Sequence, residues 1–163
     1  MKKVFEMSDN SGLYRVNGEV STEDILKMAN QIVSQRLAKG ETIAHPLDVR
    51  LYLTSHLADQ DKEVFSVIFM DNKHKIIAFD CMFTGSINNI TVYPREVMKT
   101  ALKYNASASI LVHNHPSGDP QPSREDIDIT IKLKNLLKVV DIRVLDHLVV
   151  GQQTVSLAEL GHL

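Results

Sequence analysis

His113 and His115 stand two positions apart in the segment HNHPSGDPQPSRED, and Ser123 and Asp126 follow before it ends. Two imidazoles and a carboxylate are the kinds of ligand zinc takes, and a catalytic zinc site uses three protein ligands with a fourth position for water. The chemistry such a set supports is metal-assisted hydrolysis. Taken singly, the pieces say less. His-x-His is a common pair, and Ser-x-x-Asp is first of all a helix cap. Their combination in one strand–turn–helix context is what points to a metal.

The elements that must position these groups are legible nearby. Ser107 to Val112, SASILV, is small, β-branched and apolar, as a short buried strand would be. On an extended chain residues i and i+2 share a face, so His113 and His115 present both rings to one side. Pro116, Ser117, Gly118, Asp119, Pro120 and Pro122 then exclude helix and strand and turn the chain back. Ser123 and Asp126 have the spacing of a capping box, which puts a helix start beside the histidines.

Hydrolysis also needs a base for the water's proton. Glu63 is the best candidate. It opens EVFSVIFMD, whose two faces are both largely apolar, as in a central buried strand. A carboxylate at the lip of such a strand is either a solvated strand end or a functional group. Glu41, after Gly40, and Glu96, in a first helical turn where the dipole favours it, are weaker rivals.

With Glu63 upstream and His113-x-His115-x7-Ser123-x2-Asp126 downstream, the chain resembles the JAMM motif of MPN-type (JAB) metallopeptidases. HNHPSGDPQPS, the upstream TGS (Thr84 to Ser86), PREV (Pro94 to Val97) and LDH (Leu145 to His147) narrow the resemblance to bacterial RadC-like JAB domain proteins, from about Pro46 to the C-terminus. The resemblance implies zinc held by His113, His115 and Asp126, Glu63 as general base, and Ser123 as donor to a developing oxyanion. Related eukaryotic enzymes cleave peptide or isopeptide bonds, so a protein or peptide substrate is expected. Longer RadC proteins carry an N-terminal helix-hairpin-helix module. Residues 1–45 hold only Gly12, Gly18 and Gly40 and one clear helix, so that DNA-associated module is not expected here.

Composition bounds the rest. A chain of 163 residues with 44% hydrophobic content suits one folded domain. A net charge of −2 and a pI near 6.4 argue against direct nucleic-acid binding. Lys132, Lys134 and Lys138, and Lys99 with Lys103, read as solvated helix faces. Cys81 is the only cysteine, which excludes an internal disulfide and a Cys-rich zinc site. It also excludes a zinc base deaminase, which needs Pro-Cys-x-x-Cys. His113-Asn114-His115 is not an HNH nuclease signature, whose residues are scattered. No apolar run approaches the ~20 residues of a membrane span. MKKVFEMSDNSG has no apolar core of a signal peptide, so the cytoplasm is expected.

The expected organisation is a flexible arm over 1–20, a helix and linker over 21–45, and the MPN/JAB domain over 46–163. Ser21 and Asp24 cap the first helix, whose stripe is Ile25, Met28, Ala29, Ile32 and Val33. Pro46 opens a second helix, with Val49, Tyr52, Leu53, His56 and Leu57 on one side. A hairpin follows, Glu63 to Asp71 and Lys75 to Phe83, turning at Asn72-Lys73-His74. A short strand is expected near Asn89 to Tyr93, a helix from Pro94, and strands over Asp141 to Val150 and Thr154 to Leu157. Ile127, Ile129, Ile131 and Leu133 alternate like a strand, but the Ser123 cap and the spacing Ile129-Leu133-Leu136-Val140 decide for a helix. The fold class is therefore α/β: a central mixed β-sheet flanked by helices on both sides, a cytidine-deaminase-like layering. Asp146 and His147 fit structural roles, or the orientation of a ligand histidine, better than ligation. The alternative to a zinc hydrolase is a zinc-stabilised scaffold or interaction module, in a DNA repair-related setting, without turnover.

Overall fold

Alternation in the run Val64 to Met70 divides the protein's apolar side chains between two sides of one sheet. The computed structural model describes residues 5–8, 13–38, 53, 57, 60–86 and 90–163. Its strands and helices in chain order are β1 (Phe5–Ser8), β2 (Leu13–Val16), α1 (Thr22–Ala38), β3 (Val64–Met70), β4 (Ile76–Thr84), α2 (Pro94–Lys103), β5 (Ala108–Asn114), α3 (Arg124–Lys138), β6 (Arg143–Val150) and β7 (Thr154–Ser156). The main sheet has the order β4-β3-β5-β6-β7. All its neighbours pair antiparallel except β5 and β6, which are parallel and joined by the α3 crossover. This is the expected mixed α/β architecture.

Every residue of β3 is buried, because both faces of this strand are covered. Val64, Ile68 and Met70 join Leu53, Leu57, Val112 and Leu148 on one side. Leu53 and Leu57 are themselves helical, so helix covers this face too. Phe65, Val67 and Phe69 join Val97 and Ala101 of α2 and Leu133 and Leu137 of α3 on the other. Phe65, Phe69, Leu111, Leu133 and Leu137 are fully enclosed. Each such side chain contributes roughly 1.5–3 kcal/mol of transfer free energy.

Two local expectations need correction. Residues 1–20, expected to be irregular, contain an antiparallel two-stranded sheet, Phe5 opposite Val16 to Ser8 opposite Leu13. Strands of four residues carry too little periodicity to reveal it. The strand expected near Asn89 to Tyr93 is not formed over 90–93, where the chain is irregular and Ile90 and Val92 pack against the core from outside the ladder. Pro94 at the start of α2 fixes the end of this segment. Pro46, Val49, Tyr52, His56 and residues 87–89 lie outside the described residues.

The helix starts behave as the capping pattern dictates. Ser21 and Asp24 exchange hydrogen bonds, the Ser21 amide donating to Asp24 Oδ2 and the Asp24 amide to Ser21 Oγ. Ser123 and Asp126 form the same reciprocal pair at α3. On α3 the buried positions are Asp126, Thr130, Leu133 and Leu137. That helical stripe resolves the ambiguity of the alternating isoleucines. Among the described residues no helix is long and apolar enough to cross a membrane.

Candidate metal centre

The site forms where β5 ends and α3 begins, at the carboxyl end of a strand that has a parallel neighbour. His113 lies on β5 and is buried, and His115 lies just beyond the strand, half-buried. The i, i+2 spacing works as expected: the two Nε2 atoms are 2.9 Å apart. Asp126, in the first turn of α3, brings Oδ1 to 3.1 Å from His113 Nε2 and Oδ2 to 3.4 Å from His115 Nε2. Glu63, immediately before β3, completes the group, and one donor atom from each of the four residues lies within 4.8 Å of the others.

These separations suit a small cation. Ligands ~2.0–2.1 Å from a tetrahedral zinc lie roughly 3.3–3.4 Å from one another. The three contacts among His113, His115 and Asp126 bracket that edge length from 2.9 to 3.4 Å. Glu63 brings its carboxylate within 4.8 Å of the donor atoms of the other three.

Each side chain is held from behind. Ser123 donates to Asp126 Oδ2 from both its amide, 2.7 Å, and its hydroxyl, 2.6 Å, leaving Oδ1 facing His113. His115 Nδ1 donates to the Asp119 carbonyl at 2.7 Å. The carbonyl carries no proton, so the ring must supply one there. The turn bearing Asp119 is braced by Gly118 at φ 81° and by the Gln152 amide donating to the Gly118 carbonyl. His113 Nδ1 lies 2.9 Å from His147 Nε2, and Thr130 Oγ1 contacts His147 Nδ1 on the far side.

Glu63 is fixed through its backbone. Its amide donates to the Ser86 carbonyl, and its own carbonyl accepts from the Gly85 amide. Asn114, between the two histidines, grips both flanks of Glu63: its Oδ1 accepts from the Val64 amide at 2.8 Å and its Nδ2 donates to the Lys62 carbonyl at 3.1 Å.

The electrostatics follow from burial and proximity. Burial raises the Glu63 pKa above the ordinary carboxylate value, against the opposing field of His113. Burial also pushes Asp126 upward, but the neighbouring His113 and His115 rings and the Ser123 hydroxyl outweigh it and hold the carboxyl well below the usual range. The Asp126 bond raises the His115 pKa, with burial opposing. Burial drives the His147 pKa well below that of a free imidazole.

All five residues singled out in the sequence meet here, and the rival carboxylate Glu96 does not. Glu96 pairs with Lys99 on the surface of α2 at 2.8 Å, and Glu41 lies outside the described residues. Asp146 is a structural staple, accepting from the His147 amide, the Ser156 hydroxyl and the Ala158 amide. Sequence reasoning passed over Asn114 and Thr130. Asn114 stood in plain view between two candidate ligands, and Thr130 lies one helical turn beyond Asp126. The four groups open onto a cleft of about 650 Å³ walled by Phe65, Ile90, Val92, Pro116 and Ile129, with Glu125 at its rim.

Residues 43–162 match the family model described as the RadC-like JAB domain. A UPF0758 protein of Vibrio cholerae is 50% identical over 139 residues, covering 85% of this chain and 88% of the relative. A UPF0758 protein of Thioalkalivibrio sulfidiphilus is 49% identical over 139 residues, 85% of this chain and 62% of the relative. One of Vibrio vulnificus is 47% identical over 143 residues, 87% and 64%. The chain thus spans less than two thirds of the length of these last two. With the family model matched from before Leu53 to the last residues and the mixed sheet in place, this chain belongs to the RadC-like JAB domain family.

Proposed function

We propose that this chain is a zinc-dependent hydrolase of peptide or isopeptide bonds, with His113, His115 and Asp126 holding the metal, Glu63 as general base and Ser123 as oxyanion donor. The convergence of four donor atoms within 4.8 Å at the floor of a cleft carries this reading. Two imidazoles and one carboxylate suit zinc, whereas magnesium and calcium prefer all-oxygen sets. Bound there, zinc would supply Lewis acidity, polarising the scissile carbonyl and bringing the pKa of water towards ~7.

The remaining work falls to the chain's own groups. Glu63 takes a proton from the attacking water and delivers it to the leaving amine, so that hydroxyl ends on the carbonyl carbon and hydrogen on nitrogen. Its raised pKa makes it a stronger base than an exposed carboxylate. Ser123 spends its one hydroxyl proton on Asp126 in the resting arrangement. It reaches a developing oxyanion by turning that proton away, while its backbone amide keeps hold of Asp126. The apolar walls at Phe65, Ile90 and Val92 would take side chains on either side of the scissile bond.

The test is cleavage of a peptide library and of isopeptide-linked conjugates by zinc-loaded wild type and Glu63→Gln. The expected result is cleavage by wild type and a loss of about 10²–10⁴-fold in the variant with zinc content unchanged. Turnover that survives in Glu63→Gln would remove Glu63 from its role. Zinc retained without cleavage of any conjugate or peptide by wild type would favour the zinc-stabilised scaffold.

A further inference from the structure

We infer that Thr130 and His147 are positioning residues that fix the tautomer of His113, so that its Nε2 lone pair, and not a proton, faces His115, Asp126 and Glu63. This rests on the zinc reading for its purpose, but its geometry stands alone.

The chain of protons can be followed from one fixed end. The Asp126 carbonyl is an acceptor only, and Thr130, four residues on, donates its hydroxyl proton to it. That proton is then spent. His147 Nδ1 is in hydrogen-bond contact with the same Oγ1, so the proton between them must belong to the ring. A neutral imidazole protonated at Nδ1 carries a lone pair at Nε2. His147 Nε2 lies 2.9 Å from His113 Nδ1, so it accepts and His113 Nδ1 donates. His113 is left with an unprotonated Nε2, and that is the atom 3.1 Å from Asp126 Oδ1. A backbone carbonyl in the first turn of α3 thus dictates, through two side chains, which nitrogen of a β5 histidine is free.

His115 has its Nδ1 proton held directly by the Asp119 carbonyl, so Nε2 is the nitrogen from which it gives up a proton to a metal. His113 has no such carbonyl, and the relay replaces it. Packing does not explain the relay. His147 is fully enclosed with the Phe65 ring edge-on at 5.6 Å. An apolar side chain would fill that space without the cost of burying an imidazole. Both ring nitrogens of His147 are engaged, which is what an orienting group requires.

The experiment begins with wild type free of metal. Long-range ¹H–¹⁵N correlation spectra of the imidazoles should show His113 and His147 both protonated at Nδ1, with Nε2 of pyridine type. A proton on His113 Nε2 would overturn the inference. Zinc affinity is then measured for His147→Leu and Thr130→Val, with urea midpoints to establish that each is folded. Each should bind about 10–100-fold more weakly than wild type, the cost typical of losing an outer partner of a ligand. His147→Gln should recover most of the affinity, because its amide can accept from His113 and donate to Thr130. A folded His147→Leu or Thr130→Val with wild-type zinc affinity and unchanged His113 spectra would overturn the relay. If the spectra are as stated and wild type binds no zinc, the relay stands and the zinc reading falls, so the two failures are distinct.

Discussion

Asp126 does three things at once: it closes the cap of α3, pairs with two imidazoles and offers one oxygen to the cluster. The proton it attracts sets the site's pH behaviour. Its bond raises the His115 pKa, so in metal-free protein His115 keeps a proton at pH values where a free imidazole is losing it. A metal must displace that proton. Zinc affinity should therefore rise with pH until the raised His115 pKa is passed and level off above it. Proton release on binding should be largest below that point. Titration calorimetry in two buffers of different ionisation enthalpy measures both, and affinity independent of pH between about 6 and 8 would contradict the assignment. The ligand residues were legible because their spacing is local. The roles of Thr130 and Asn114 were not, since nothing in one sequence tells which groups a strand and a helix turn towards each other.

At the scale of elements, the turn after β5 and the bend after β6 support each other. A Cβ on Gly151 would lie 2.5 Å from the Gly118 carbonyl oxygen and 2.9 Å from the Pro120 nitrogen, both backbone atoms that cannot swing aside. Gly151→Ala should push the turn outward and take the Asp119 carbonyl away from His115. The expected outcome is about tenfold weaker zinc binding, the lower end of the cost of a lost outer partner, with unchanged circular dichroism. Unaltered affinity would show that the turn does not orient His115. Asn114→Leu strips the Lys62 carbonyl and Val64 amide of their partner. The Val64 amide, orphaned where it is buried, costs about 1–3 kcal/mol, which lowers Tm by roughly 2–4 °C per kcal/mol in a chain of this size. Zinc content should persist while turnover falls, since Glu63 is loosened and the ligands are not. A normal Tm and turnover would remove Asn114 from its clamping role. The sheet and α2 and α3 were legible for a plain reason. β3 is apolar on both faces, and the Ser123 box fixes where α3 starts. The β1–β2 pair was not, because a four-residue strand such as LYRV shows no alternation against a core. Residues 90–93 misled for the opposite reason: Ile90 and Val92 alternate and pack inward without entering the ladder.

At the scale of the whole molecule, the charge balance bears on partners. A net charge of −2, with Lys99 and Lys103 exposed on α2 and Lys132 and Lys138 exposed on α3, leaves no basic stripe for phosphate contacts among the described residues. We expect no salt-dependent binding of duplex DNA in a mobility-shift or anisotropy titration. A steep fall of affinity with salt would instead reveal a phosphate-contacting face. Under the proposed function, the first turn of α3 and the end of β5 together hold one metal ion. Elemental analysis of purified protein, beside His113→Ala and Asp126→Ala, tests it most directly. One zinc per chain is expected in wild type and none in either variant. Wild type that takes up no zinc after reconstitution, or variants that keep it, would show that these two elements do not hold the ion.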